Sequence, residues 1–400
     1  FEDAVLAARE LEITLTGRDG GAEERVPMCG VPYHSADSYI SRLVEKGYKV
    51  AICEQVEDPA SAKGVVRREI VRFVTPGTVM EGKTLEDHAN NYIVSLGKAE
   101  GEWGLAACDL STGELHVTST SELSQLWDEV LSYRPSEVLG DEPLLESARN
   151  EAAWLKSPLF TSWEQEWDAA LLQRFSREEQ AKLAGARLEA VCRLLSYLEA
   201  TQKRLLTHVT HIRDYEPGHF MILDAYTKRN LELIETVRDR TKKGSLLWLL
   251  DRTLTSMGAR MLRRIVDKPL LDLRRIEERL EAVDVLHSQL ILREELRELL
   301  KKVYDLERIA GRISYGSANA RDLVSLKISL DQVPDIRRLC AESPSATLAA
   351  VSAGMDDCAD LAALIDAAIV DDPPVSVRDG GLIKNGYDER LDQLREASAN

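Results

Sequence analysis

The sequence predicts a multidomain protein that is α/β in its first half and all-α in its second. Short apolar runs bounded by proline, glycine and serine turn signals recur over the first 140 residues and read as strands interleaved with helices. From about Glu178 apolar residues recur instead at helical spacing over long stretches. At 400 residues and 44% hydrophobic composition the chain is ample for about two to four domains with buried cores.

Taken in order, Phe1, Val5, Leu6 and Leu11 lie at helical spacing, and Ile13-Thr14-Leu15-Thr16 alternates like a strand. Gly17 to Glu24 reads as a polar loop. Pro27 and Pro32 frame a turn at Gly30. Ser35 or Asp37 can cap a helix running to Lys46 with Tyr39, Leu43 and Val44 on one face, and Gly47 stands where a glycine ends a helix. Val50–Cys53 and Ile70–Val74 are two short strands around a loop bounded by Pro59 and Gly64, and Pro76-Gly77 stops the second. The apolar run makes Cys53 a small buried side chain. A second α/β segment follows: strand Tyr92–Leu96, a hairpin of Trp103–Leu110 and Glu114–Thr118, a helix from a Ser121 cap to Tyr133, and a strand at Glu137–Leu139. Helices are expected near Pro143–Ala153 and Glu164–Arg174. Farther on, Leu188, Val191, Leu195 and Leu198 mark one helix face. Helix continues from Leu246 to Val266, with Leu249, Leu250, Met257, Met261 and Ile265 apolar, and again over 272–303 and roughly 319–340. No fixed-period repeat points to a solenoid.

Six cysteines, at 29, 53, 108, 192, 340 and 358, form no CxxC pair and no pattern with histidine. That speaks against a metal site and a disulfide framework and fits a reduced, cytoplasmic setting. The start carries no secretory signal, and no apolar run approaches the roughly 18 residues that span a bilayer. The chain begins at Phe1 rather than methionine, which suggests a piece of a longer protein. Its net charge is −17, but the distribution matters more than the sum. Residues 100–170 hold 15 acids and three bases, residues 63–72 four bases and one acid, and residues 226–264 ten bases and four acids. An acidic middle between two basic regions suits a protein that touches a polyanion at chosen places; solvated helix faces are the plainer alternative.

The stretch from Val26 to Thr78 contains PMCGVPYH, VAICEQVEDP and VRFVTPGT, in that order. These blocks resemble the mismatch-recognition domain of the MutS family of DNA mismatch repair proteins. ILDAYTKRNLEL (222–233), LLDRTLTSMGARMLRRIVDKPL (249–270) and PPVSVRDGGLIKNGYDERLDQLRE (373–396) resemble the family's helical core, so the likeness covers nearly the whole chain. It implies a mixed α/β mismatch-binding domain over 1–88, a ribonuclease-H-like connector domain over 89–205, and the first part of a long-helix core, or lever, domain over 206–400. It also implies recognition of double-stranded DNA with mismatches or small loops, a homodimer, a MutL-type partner, and a cytoplasmic, nucleoid-associated bacterial protein. ATP and Mg2+ enter by the resemblance alone, since the family's ATPase lies in a C-terminal domain past Asn400. A paralogue serving recombination or lesion signalling is an alternative.

Site residues follow only where motifs match. The family probes a mispair with a Phe-x-Glu motif, but the register of PMCGVPYH places that motif just before Phe1-Glu2-Asp3, leaving Phe1 as a helix residue. Arg18 and Arg68 fall on basic positions that the family uses at the DNA backbone, where each would neutralise a phosphate without reading sequence. Met28, in the PMCG turn, would lie near the groove floor. A solvated charge is the alternative for each arginine and a core gap-filler for Met28. Tyr33 and His34 are expected to brace the turn.

Two patterns could suggest an enzyme. Gly77-Thr-Val-Met-Glu-Gly82-Lys83-Thr84 satisfies the phosphate-loop spacing, and Phe220–Asp224 could pass for a strand ending in a magnesium ligand, which together give a P-loop nucleotidase around Lys83 as the alternative. A phosphate loop needs a helix at once to hold the anion, whereas Leu85–Asn91 is short, acidic and leads into a strand. Asp109, Glu114 and Asp141 could serve a two-metal nuclease, but acids are so abundant there that three near strand ends say little. The expectation is a chain without a catalytic site of its own.

Overall fold

The computed structural model of the protein describes residues 2–18, 25–57, 66–80, 85–151, 158–164, 168–203, 206–374 and 377–399. Phe1, most of the first polar loop, the Pro59–Gly64 loop and Lys83 lie outside them. The chain forms two compact units, Phe1–Pro217 and Gly218–Asn400.

The first unit opens with helix α1 (Glu2–Leu11) and a two-stranded antiparallel ribbon of β1 (Thr16–Arg18) and β2 (Val26–Met28). The strand expected at Ile13–Thr16 starts only at Thr16. Ile13 closes the helix instead, donating its amide to the Ala8 carbonyl at 3.0 Å. Helix α2 (Ala36–Glu45) precedes a second antiparallel ribbon, β3 (Val50–Gln55) with β4 (Arg68–Val74). Here the expectation for Cys53 fails: the thiol is exposed. The ribbon pairs only with itself among the described strands, and the alternation along β3 leaves Val50 and Ile52 half-buried while Ala51 and Cys53 face outward.

The rest of the unit is built on a six-stranded sheet. Its strands are β5 (Ile93–Ala99), β6 (Glu102–Asp109), β7 (Glu114–Thr120), β8 (Glu137–Gly140), β9 (Leu159–Ser162) and β10 (Arg213–Asp214), with helices α3 (Leu123–Tyr133), α4 (Glu142–Glu151), α5 (Arg177–Ala181) and α6 (Gly185–Gln202) between them. The spatial order is β10-β7-β6-β5-β8-β9; β5, β6 and β7 are antiparallel, while β8 runs parallel to β5 and β9 parallel to β8. This is the ribonuclease-H-like arrangement expected. Val94, Leu96, Leu105 and Ala107 pack with Leu126, Trp127 and Val130 of α3 and Leu144, Leu145 and Ala148 of α4. Helix α6 packs against β5 and β6 with Val191, Leu195 and Leu198 fully buried. Gly97 and Gly104, opposite each other in β5 and β6, make that approach possible: a Cβ on Gly104 would stand 2.0 Å from the Ala186 carbonyl oxygen.

Two further local expectations are corrected in this unit. Ser121 does not cap α3; its N-cap is Glu122, whose amide is accepted by Thr120 Oγ1 at 3.2 Å. Where a helix over Glu164–Arg174 was expected, β9 ends at Ser162 and a 3-10 helix covers Ala169–Arg174, started by Asp168 accepting the Ala170 amide at 2.9 Å.

The second unit is helical: α7 (Ala225–Asn230), α8 (Leu246–Leu250), α9 (Ser256–Asp267), α10 (Leu273–Ser288), α11 (Leu290–Leu300), α12 (Leu306–Tyr315), α13 (Ala320–Leu330), α14 (Val333–Glu342), α15 (Ala346–Ala353), α16 (Ala359–Ala368) and α17 (Glu389–Ala399). Side-chain N-caps set most of the starts, among them Asp224, Ser245, Thr255, Asp272, Asp305, Asn319 and Ser345. They also break the expected helix from Leu246 to Val266 in two. Asp251 Oδ1 accepts the Thr253 amide at 3.1 Å, and Thr255 restarts the helix. The apolar face expected there is not a core face throughout: Leu249, Leu250 and Met261 are exposed, while Leu233, Ile234 and Leu247 form the local core. Among the described residues no helix is long and apolar enough to cross a membrane.

Candidate nucleic-acid interface

The two N-terminal ribbons carry the residues singled out by sequence. Met28 and Arg18 lie on the first: Thr16 pairs with Met28 and Arg18 with Val26, and Thr16 Oγ1 donates to the Met28 carbonyl at 2.8 Å. Met28 is 47% exposed, so it is not a core gap-filler. The side chain of Arg18 lies outside the described residues, as does that of His34. Tyr33 begins a 3-10 turn, Tyr33–Ser35, and is 75% exposed.

Arg68 lies on the second ribbon as the first residue of β4, paired with Gln55. The basic cluster around it is not uniform. Arg67 is bonded to Glu69 at 2.9 Å, and its amide is held by Glu57 at 2.7 Å. Arg72 faces Asp37, at the start of α2, at 3.9 Å. Arg68 is exposed and has no ion-pair partner among the described residues. No carboxylate among the described residues neutralises its charge, in contrast to those of Arg67 and Arg72.

The second basic region differs. Lys228 bonds Asp267 at 2.9 Å, Lys242 bonds Asp251 at 2.5 Å, and buried Arg260 makes a bidentate pair with Asp305 at 2.6 and 2.8 Å plus a bond to Glu307 at 2.5 Å. Burial works against charge on Asp305, yet the bonds from Arg260 hold its carboxyl below the usual range. These cations hold α9 and its neighbours together.

The residues that suggested enzymes have other occupations. Residues 85–92, where a phosphate-loop helix would run, form turns, with Ala89 donating to Glu86 at 3.2 Å. Asp224 caps α7 through the Thr227 amide at 2.6 Å. Asp109 is buried and accepts from Asn90, the Asn91 amide and both donors of Ser111. Glu114 bonds Arg213 at 2.6 Å and the Tyr92 hydroxyl at 2.9 Å, and Asp141 takes the Leu144 amide at 2.9 Å. Among the described residues no group of histidines, cysteines and acids could hold a metal ion.

Comparison with known proteins identifies the family. The model described as MutS domain I matches residues 1–83, MutS domain II matches 91–213 and MutS domain III matches 226–399. The chain belongs to the MutS family. It is similar along its whole length to proteins named DNA mismatch repair protein MutS: 52% identical to that of Brevibacillus brevis, 48% to that of Geobacillus thermodenitrificans and 46% to that of Bacillus subtilis. It spans 46%, 44% and 46% of those relatives' own length, somewhat under half.

Sequence reasoning missed Glu137, Thr75 and Tyr197, which meet in a buried polar cluster. Glu137 is one of 15 acids between 100 and 170, and nothing in its neighbours distinguishes it from the exposed ones. Only its place at the head of an apolar strand hinted that its side chain faces inward.

Proposed function

We propose that this chain supplies the mismatch-recognition and signalling part of a DNA mismatch repair protein. In this reading residues 1–88 bind the duplex, 89–205 form the connector and 206–400 are the first part of the helical core. The ligand is double-stranded DNA carrying a mispair or small loop. The observation that carries the reading is the occurrence of MutS domains I, II and III in order along one chain whose ribbon holds an Arg68 with no ion-pair partner among the described residues. Arg18 and Arg68 contact the backbone by neutralising phosphate, and Met28 lies toward the groove. Binding is coupled in the whole protein to an ATPase that uses ATP and Mg2+, within a homodimer that engages a MutL-type partner in the bacterial cytoplasm at the nucleoid. The phosphate-loop reading is not favoured, because turns occupy 85–92 and the Gly77 amide is bonded to a carboxylate at 3.3 Å.

The test is competition binding of the full reading frame to duplexes differing at one base pair. A mispaired or looped duplex should bind more tightly than its matched counterpart, and Lys83→Ala should leave ATP hydrolysis intact. Equal affinity for both duplexes contradicts the reading. Loss of hydrolysis on Lys83→Ala would restore the nucleotidase.

A further inference from the structure

Between the β3–β4 ribbon and the six-stranded sheet lies a joint that carries a buried set of directional polar bonds. Its centre is Glu137 in β8, which is fully buried. Four donors converge on its carboxyl group. Thr75 Oγ1 at 2.5 Å and the Gly77 amide at 3.3 Å reach Oε2, while Thr161 Oγ1 at 2.8 Å and the Tyr197 hydroxyl at 2.6 Å reach Oε1. Thr75 and Gly77 belong to the turn leaving β4, Thr161 to β9 and Tyr197 to α6. Burial, followed by the charge of Glu137, pushes the Tyr197 phenol up, so it stays a donor.

Further bonds join the same pieces. Lys49, just before β3, donates to Thr161 Oγ1 at 3.0 Å. Gln202 of α6 donates to the Phe73 carbonyl at 3.2 Å, and Asn91 donates to the Pro76 carbonyl at 2.9 Å. Thr75 and Thr78 close the turn as a reciprocal capping box. Gly77 fits only because it has no side chain: a Cβ there would stand 2.9 Å from both the Glu137 and Ile93 Cβ atoms. The first glycine of the phosphate-loop pattern is thus explained by close approach to a carboxylate.

We infer that Glu137 is a positioning residue through which the connector sheet fixes the pose of the Arg68 ribbon, so that engagement of DNA by the ribbon is felt at β8, β9 and α6. This deepens the proposed function and rests on it. Hydrogen bonds weaken steeply as their angle departs from linear, so a tilt of the ribbon is felt by the strands and helix that bond it.

The experiment is hydrogen exchange of the full-length protein, wild type against Glu137→Gln, with and without a mismatched duplex. Glutamine keeps the shape but turns an NH2 toward two donors. In the free protein, exchange over 73–78 should rise about tenfold or more, as loss of a bond to a charged group predicts, while β6 and β7 stay unchanged. With mismatched duplex, wild type should gain protection in the ribbon and in β8–β9; the variant should gain it in the ribbon alone. Tyr197→Phe, which removes one hydroxyl, should move both readouts in the same direction and carries the test if Glu137→Gln does not fold. Unchanged exchange over 73–78, or protection spreading to β8–β9 in the variant as in wild type, overturns the inference. A wild-type protein that gains no protection from a mismatched duplex overturns the proposed function instead, and the free-protein comparison still judges the joint.

Discussion

Arg68 and Arg260 sit in the two basic regions that stand out from the sequence, and they have opposite fates. Arg260 is buried, bonded to two carboxylates and committed to holding α9 against α12. Arg68 is exposed on a two-stranded ribbon, while its basic neighbours Arg67 and Arg72 each face a carboxylate. A run of positive charge in a sequence is therefore not yet an interface. What separates a structural cation from one offered to a polyanion is whether the fold brings it a carboxylate, and that partner is often far along the chain; Asp305 lies 45 residues from Arg260.

Several outcomes would break or sharpen this contrast. The largest effect is expected from Arg260→Ala, which leaves Asp305 and Glu307 without their cation and should cost the helical unit about 3–5 kcal/mol. Urea unfolding of wild type and variant measures it; a loss within about 0.5 kcal/mol would put Arg260 in the same class as a surface charge. The pair should also show in the pH dependence. Asp305 has a folded carboxyl value below its unfolded one, so its contribution is fully present above about pH 4 and disappears as pH falls through the lower folded value. Acid titration of stability should be steeper in wild type than in Arg260→Ala, and equal slopes would contradict the assignment.

The same contrast of exposure can be read with thiols. Cys108 and Cys192 are buried, with burial pushing both thiols up, that of Cys192 to about 12, whereas Cys53 stands open on the ribbon. Labelling of the native protein at neutral pH should modify Cys53 first and leave Cys108 and Cys192 unmodified until unfolding. Early labelling of Cys192 would mean that α6 leaves the sheet readily.

Much of this architecture is legible in the sequence. The alternating and apolar runs locate β3 to β8 because their side chains pack on a sheet, and Ser35, one of two caps expected for α2, stands at its N-cap position. The misreadings fall where a distant partner decides. Cys53 reads as buried because an apolar run says nothing of whether a second layer covers it. Ile13 reads as strand although the helix end claims its amide. The break between α8 and α9 depends on Asp251 and Thr255 competing for backbone donors, which periodicity does not register. Among the candidate residues, Arg68 and Met28 are nominated through matched motifs, but that Arg67 and Arg72 face Glu69 and Asp37 while Arg68 does not is seen only in the fold, and Glu137 is marked in the sequence by no more than its place at the head of an apolar strand.

The most direct measurement is a salt titration of duplex binding by the full-length protein and its Arg68→Ala variant, on matched and mismatched DNA. Stability should be unchanged within about 0.5 kcal/mol, since the arginine has no partner among the described residues to lose. A phosphate contact carries no base information, so affinity should fall by the same factor on both duplexes and the slope against log salt should drop by about one unit. A loss confined to mismatched DNA, or an unchanged slope, would contradict the account of the ribbon as a backbone contact.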